Sequence, residues 1–588
     1  MSFRLTICSL QYPTHEVSRW FFHLYTFETF RMLLIPANFR QSVSVIAFSL
    51  LLTHLTAATC LADDSGDSRP RPNIVVILVD DMGFSDIGCY GSEIPTPNLD
   101  ALAANGLKFR QFYNTGRCCP TRASLLTGLY SHQAGIGHMT DDYGIPGYRG
   151  VLNRRCVTLG DVARSAGYFT AATGKWHVGH RNESNMPLQR GFDRFFGVPE
   201  GGGFYFQVKA GRTVRLNNDV FYSTEKPAPD GWYSTDAWTE YSLKFVDEAK
   251  HARKPFLLYL AHNAPHFPLQ ATADDIAMFR GRYKDGWDKL SKDRLHRQLN
   301  SGLIDSSWEP AERSKPVAEW DSLSDQDKDR FDHLMATYAA CVYRMDRSIG
   351  TLVEGLKQRD QFDNTLILFM SDNGGCAESG PRGRSEGDPT VADSNWFCGE
   401  SWAWMQDTPF RKFKHYNHEG GIATPLIAHW PAGIQSKGEW RDTPAHLIDV
   451  MATVVDLTGA TYPEEHGGVK IQPAEGRSLR PVFDHQSIQR DALYWEHEGN
   501  AAIREGDWKL VRLGGKGAWE LYNMKSDRTE QHDLAETHPD RVRTLEQKWL
   551  AWAERCHVHT DGLPDRSQSN GGKKAPGKKG KRKAKSID

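Results

Sequence analysis

Residues 72–82 read PNIVVILVDDM, a continuous apolar and largely β-branched run that stops at Asp80-Asp81. A strand with one face in water alternates apolar and polar positions. A run without alternation predicts a strand buried on both faces, as in a parallel sheet covered by helices. Further extended segments are predicted at 168–177, 255–261 (PFLLYLA) and 364–371 (NTLILFMS). Helix signals lie between them. Thr96-Pro97 opens a helix that Asn105-Gly106 closes, and Thr158, with Asp161 in capping-box spacing, opens another that stops at Gly167. This alternation predicts an α/β fold with a doubly wound, mostly parallel sheet flanked by helices.

From about residue 485 the period changes. Residues 492–513 (ALYWEHEGNAAIREGDWKLVRL) and 519–524 (WELYNM) read as antiparallel strands, with turns at Gly499-Asn500 and Glu505-Gly506-Asp507. A helix over Pro539–Glu554 would pack on them. The expected organisation is a catalytic-size unit over 73–484 and a smaller C-terminal α+β subdomain on an antiparallel sheet over 485–560. Residues 561–588 are expected to be a basic tail. That tail carries eight Lys/Arg within 571–585 among Gly, Pro and Ala, too little apolar surface to fold.

The amino end reads as an export signal. After Met32 come Arg40, an apolar run from Val43 to Leu52, and small residues ending at Ala62 before Asp63-Asp64. Residues 1–31 then lie upstream of the better start, residues 32–62 form the signal peptide, and the mature chain is exported, to the periplasm or the extracellular space. No retained transmembrane segment is expected, since the run is too short to span. A net charge of −2 gives no reason to expect nucleic acid as a partner. Ten cysteines over 588 residues are too few and too irregular for a disulfide framework.

Chemistry concentrates where strands end, and in an open α/β sheet ligands bind beyond the carboxyl ends of the strands. One strand runs into Asp80-Asp81 and another into Asp372-Asn373-Gly374-Gly375. Three carboxylates and an amide oxygen brought together call for a cation, and an all-oxygen set suits Ca²⁺ or Mg²⁺ rather than Zn²⁺. In GRCCPTRASLLTG (116–128), Pro120 places Cys118 at a helix amino terminus, and Arg122 rises on the same face one turn later. A nucleophile and a cation then point at one spot suited to a tetrahedral oxyanion, while Cys119 projects elsewhere. Buried packing, a disulfide or half a metal site are the plainer readings of two adjacent cysteines. Lys175 and His177 share a face of an extended segment, with Trp176 opposite. His266 follows the PFLLYLA strand, and Lys414 precedes Glu419-Gly420-Gly421.

Cys118-Cys119-Pro120-Thr121-Arg122, followed by Leu126-Thr127-Gly128, resembles the sulfatase signature C-x-P-x-R…TG, with Thr121 where Ser or Ala is commoner. The other elements fall in that family's order, and residues 73–560 are similar to bacterial arylsulfatases of the alkaline-phosphatase-like superfamily. The resemblance implies hydrolysis of sulfate esters, with Cys118 oxidised by a separate maturation enzyme to formylglycine. One hydroxyl of its hydrate attacks sulfur and leaves a covalent sulfo-enzyme. It also implies one Ca²⁺ (or Mg²⁺) bound by Asp80, Asp81, Asp372, Asn373 and residue 118, with Asp372 as base. Lys175 and Lys414 offset sulfuryl charge, His266 with Lys414 protonates the leaving oxygen, His177 deprotonates the second hydroxyl, and Arg122 holds the hydrate. The implied substrate is a sulfated small molecule or glycan. Specificity is expected from segments 200–235, 270–330 and 380–408, and in the last of these Trp396, Trp402 and Trp404 offer either stacking surfaces for a sugar or aryl ring or plain hydrophobic packing. The alternatives are a formylglycine-dependent phosphonate monoester or phosphodiester hydrolase and a non-catalytic binder of sulfated polymer.

Overall fold

The computed structural model describes residues 71–560 and Leu563; the leader and the basic tail lie outside the described residues. An eleven-stranded sheet organises the larger part of the molecule. Its strands are β1 (Asn73–Val79), β2 (Leu107–Tyr113), β3 (Phe169–Lys175), β4 (Arg194–Val198), β5 (Val214–Leu216), β6 (Asp219–Tyr222), β7 (Phe256–Ala261), β8 (Thr365–Ser371), β9 (Ala423–His429), β10 (Glu439–Arg441) and β11 (Ala445–His446). They lie in the order β10-β2-β9-β8-β1-β7-β3-β4-β5-β6, with β11 also paired to β2. Strands β8, β1, β7, β3 and β4 are parallel. Strand β9 runs antiparallel between β8 and β2, and β5 and β6 form an antiparallel edge.

The unbroken apolar run of β1 has the expected cause. Val75, Ile77 and Val79 face a core shared with Trp238 and Phe245 of helix α4 (Ser234–His251) and Leu334 of helix α5 (Asp325–Gln358). Ile74, Val76 and Leu78 face the opposite core, built with Leu125 of α2 (Cys118–Thr127), Val162 of α3 (Leu159–Ser165) and Val450 of α6 (Asp449–Thr458). Each such side chain contributes roughly 1.5–3 kcal/mol by leaving water. Alternation is absent because neither face is wet.

The capping box of Thr158 and Asp161 forms as its spacing predicts. Helix α1 (Pro97–Ala104) starts after Thr96, but the Thr96 hydroxyl does not cap it. Asp346 of α5 accepts from the Asn98 and Leu99 amides at 3.2 and 2.8 Å, so Thr96 turns back to accept from the Gly88 amide at 2.8 Å. A distant carboxylate has taken the local cap's place, which no local spacing reveals.

The C-terminal sheet is a meander of β12 (Leu493–His497), β13 (Asn500–Glu505), β14 (Trp508–Arg512) and β15 (Trp519–Asn523), covered by α7 (Pro539–Cys556). Pairing of His497 with Asn500 makes Glu498-Gly499 the first turn, one residue earlier than expected. Both turn residues are left-handed, with φ of 52° and 83°, as a two-residue hairpin turn requires. Among the described residues no helix is long and apolar enough to cross a membrane.

Candidate active site

Four neighbouring parallel strands deliver the site. Val79 of β1 is in register with Ser371 of β8, so Asp80-Asp81 and Asp372-Asn373 leave the sheet at one level. On the other side of β1, β7 leads to His266, and β3 beyond it ends at Lys175. Lys414 comes from the segment entering antiparallel β9, whose start lies at the same sheet edge. Two glycines make these exits possible. A Cβ on Gly174 (φ 87°) would lie 1.9 Å from the Ala261 carbonyl oxygen, and one on Gly374 would lie 1.9 Å from that of Gly420.

The charges pair one to one. Lys175 Nζ lies 2.5 Å from Asp80 Oδ2, Lys414 Nζ lies 2.7 Å from Asp81 Oδ1, and Arg122 Nη2 lies 2.8 Å from Asp372 Oδ2. Arg122 also donates to the Lys175 carbonyl at 2.9 Å and lies 3.6 Å from Asp80. Its guanidinium is therefore engaged with the carboxylates beneath residue 118. Asn373 Nδ2 donates to Asp81 Oδ1 at 2.9 Å. One oxygen on each of three residues remains: Asp80 Oδ1, Asp81 Oδ2 and Asn373 Oδ1 are buried and have no hydrogen-bond partner. A buried acceptor left unpaired costs about 1–3 kcal/mol. Three such oxygens in one place are a donor set for a hard cation.

Cys118 begins α2 and is buried. A hydrogen bond from Cys119, together with Lys175 and His177, draws its thiol well below the ordinary value against the effect of burial. Ligand atoms of Cys118, Cys119 and His177 lie within 4.8 Å of one another, so Cys119 does not project elsewhere as its sequence position suggests. The first turn of α2 brings the two sulfurs together. His177 faces Cys118 although its backbone is left-handed (φ 57°), not extended. Burial, helped by Lys175, lowers its pKa to about 4. His266 donates from Nδ1 to the Phe267 carbonyl at 2.5 Å, which leaves Nε2 facing Asp81 Oδ2 at 3.6 Å. Burial raises the Asp372 carboxyl well above its ordinary value, with the Asp80 charge adding to it. Thr121, the unusual residue of the motif, donates to the Asp372 carbonyl at 2.7 Å and so ties the start of α2 to the exit of β8.

A cleft of 250 Å³ opens above this cluster, floored by Cys118, His177, His266 and Lys414. Its walls include Glu200, Lys209 and Arg212 from the 200–235 segment, and Arg117, Phe267 and Glu378. Sequence reasoning missed Arg117 and Glu378. The only signal was adjacency, Arg117 beside Cys118 and Glu378 six residues past Asp372. The three tryptophans are not stacking surfaces. Trp402 packs on Trp287 and donates to the Phe331 carbonyl, Trp396 donates to that of Gly387, and Trp404 is buried in the same core. Segment 270–330 lines none of this cleft.

Residues 72–460 match the family described as Sulfatase, and residues 410–551 match the C-terminal part of N-sulphoglucosamine sulphohydrolase. The chain belongs to the sulfatase family. This sulfatase is 32% identical over 432 residues to an arylsulfatase of Klebsiella aerogenes, covering 70% of this chain and 92% of that enzyme. It is 33% identical over 537 residues to an uncharacterized sulfatase of Schizosaccharomyces pombe, covering 83% and 95%. A solved structure of Ps i-CgsB in complex with k-i-k-neocarrahexaose superposes with a TM-score of 0.63 at 27% identity, covering 85% of this chain and 97% of that one. As a sulfatase the protein is a sulfuric ester hydrolase, releasing sulfate from sulfate esters. The family generally works with a metal ion and formylglycine.

Proposed function

We propose that this sulfatase hydrolyses sulfate esters of saccharides, with residue 118 matured from cysteine to formylglycine by a separate enzyme. Asp80, Asp81, Asp372 and Asn373, together with residue 118, would hold one hard divalent ion, Ca²⁺ or Mg²⁺. The observation that carries this reading is the trio of buried, unpartnered oxygens on Asp80, Asp81 and Asn373. Three cations already match three carboxylates here, so a divalent ion makes the pocket net positive and complementary to an anionic ester. Formylglycine would supply a nucleophilic hydroxyl in its hydrated form, and a hard divalent ion held by these residues would supply Lewis-acid stabilisation of that hydroxyl and of the sulfuryl charge.

The chain's own groups do the rest. Lys175, Lys414 and the amino end of α2 offset charge on the sulfuryl oxygens. Asp372, a carboxylate paired with Arg122 and made more basic by burial, accepts the proton of the attacking hydroxyl. His266, in its imidazolium form with Nδ1–H held by the Phe267 carbonyl, hands its Nε2 proton to the leaving oxygen, assisted by Lys414. His177, neutral at working pH, takes the proton that frees sulfate from residue 118. Arg122 positions Asp372 and Asp80. The saccharide reading is supported by Arg117, Lys209 and Arg212 on the cleft wall and by Phe267 stacked on Phe397, beside the likeness to a protein solved with a neocarrahexaose.

Chelation of the mature enzyme is expected to abolish turnover of an aryl sulfate and of sulfated oligosaccharides, and added Ca²⁺ or Mg²⁺ to restore it. Stoichiometric zinc in the active enzyme at the catalytic oxygens, or faster turnover of a phosphodiester than of any sulfate ester, would replace this reading. We further propose export through the leader at 32–62. Amino-terminal sequencing of exported protein is expected to start at or near Asp63, and an intact Met1 or Met32 on that material overturns it.

A further inference from the structure

One polar cluster has no part in that reaction. At the rim of the cleft, the Glu498 carboxylate sits among three imidazoles: His415 Nδ1 at 3.0 Å, His138 Nε2 at 3.1 Å and His497 Nε2 at 3.6 Å. Donor atoms of His415, His497 and Glu498 lie within 4.8 Å of one another. His497 is fully buried, and neither of its ring nitrogens has a hydrogen-bond partner. A buried imidazole without partners is costly, and nothing on the protein side satisfies it. His415 and Glu498 also hold left-handed backbones, with φ of 84° and 52°, conformations that non-glycine residues adopt only at a cost.

The surroundings resemble the outer shell of a metal ligand set. His415 turns its other nitrogen, Nε2, to Glu378 Oε1 at 3.2 Å and to the Arg117 guanidinium, which also lies 3.3 Å from Nδ1; the carboxylate contact is of the kind that orients a ligating imidazole. Arg117 is bonded to the same Glu378 oxygen at 2.5 Å, and both the guanidinium and Lys414 lean on that carboxylate. His138 is placed to orient Glu498. Two of the three donors come from the C-terminal hairpin, His497 at the end of β12 and Glu498 in the turn after it, and the third follows Lys414. A bound ion would therefore join the C-terminal hairpin to the loop that carries a catalytic lysine.

We propose that His415, His497 and Glu498 form a second metal site, separate from the all-oxygen set at Asp80 and Asp81, for a borderline divalent ion of the Zn²⁺ class. Two imidazoles and one carboxylate suit zinc and its transition-metal neighbours, not Ca²⁺ or Mg²⁺. The ion would hold the hairpin turn against the cleft wall and fix the position of Glu378 through His415.

The test uses the full chain loaded with Ca²⁺ and equilibrated with Zn²⁺, in a Cys118→Ser/Cys119→Ser background so that the thiols beside His177 do not compete. Stoichiometric zinc is expected to survive gel filtration. X-ray absorption is expected to show nitrogen and oxygen at about 2.0 Å with an imidazole outer shell, and no sulfur at about 2.3 Å. His497→Ala and Glu498→Gln should each weaken zinc retention by about 100-fold, whereas Asp81→Asn should leave it unchanged. Circular dichroism checks that the variants fold. If they do not, the ligation of the unsubstituted His497 and Glu498 in the parent, compared with Asp81→Asn, decides alone. No retained zinc, sulfur ligation, or equal retention in folded His497→Ala overturns the site. Zinc content is read without turnover, so the result is independent of the catalytic reading.

Discussion

Cys118→Ser and Cys118→Ala are expected to lower kcat for an aryl sulfate by about 10³-fold or more, because in the mechanism proposed here the nucleophile and the second hydroxyl that releases sulfate would vanish together. The fold should survive. Cys118 is one small residue at the start of α2, and the anchors of that helix are Thr121 on the Asp372 carbonyl and Arg122 on Asp372 and Asp80. Cys119→Ser is the control. Its sulfur touches that of Cys118, so it should change turnover by a modest factor through packing, not by orders of magnitude. Enzyme made without a maturation partner should fold normally, keep an unmodified thiol at residue 118 and turn over little. Peptide mass spectrometry paired with steady-state assays reads both. Full activity in material whose Cys118 is wholly unmodified would remove the mechanism.

The parts legible from the sequence were those whose cause is local or periodic. The apolar run of β1 announced a strand buried on both faces, and the residues just past β1, β3, β7 and β8 had to meet once those strands lay parallel. The segment before β9 joins them because β9 runs the other way. What escaped depends on groups distant in sequence. Asp346 displaces Thr96 as the cap of α1 across 248 residues, and Glu498 reaches the cleft rim only because the C-terminal hairpin folds back on His415. The Trp396, Trp402 and Trp404 cluster shows the same limit. Composition marks an aromatic-rich stretch, but whether it faces solvent depends on Trp287 and Phe331 from other elements. Glu419-Gly420-Gly421 belonged to the motif order without a chemical role that spacing could supply.

Glu419 has a structural role with a large energetic consequence. Its carboxylate is wholly buried and accepts from Lys509 Nζ at 2.8 Å, Arg528 Nε at 2.9 Å and the Tyr113 hydroxyl at 3.0 Å, while Lys509 also pairs with Glu530 at 2.8 Å. Lys509 lies on β14 and Arg528 follows β15, so the C-terminal sheet is locked to the segment entering β9, five residues after Lys414. Glu419→Gln is expected to destabilise the protein by about 3–5 kcal/mol, since it removes the carboxylate paired with buried Arg528 and leaves buried Lys509 with Glu530 alone. Urea unfolding followed by tryptophan fluorescence reads the loss, and a shift below about 1 kcal/mol would show that the network carries little net stability. The pH dependence gives a second readout. Burial alone would raise the Glu419 carboxyl, but Lys509 and Arg528 overcome it and hold the pKa at about 2, below the ordinary 4.5. A depressed folded-state value means the contribution is complete above pH 4.5 and drains away as pH falls toward 2. The parent should therefore lose stability over that window more steeply than Glu419→Gln, whose amide does not titrate, and the two stability curves should converge at the acid end.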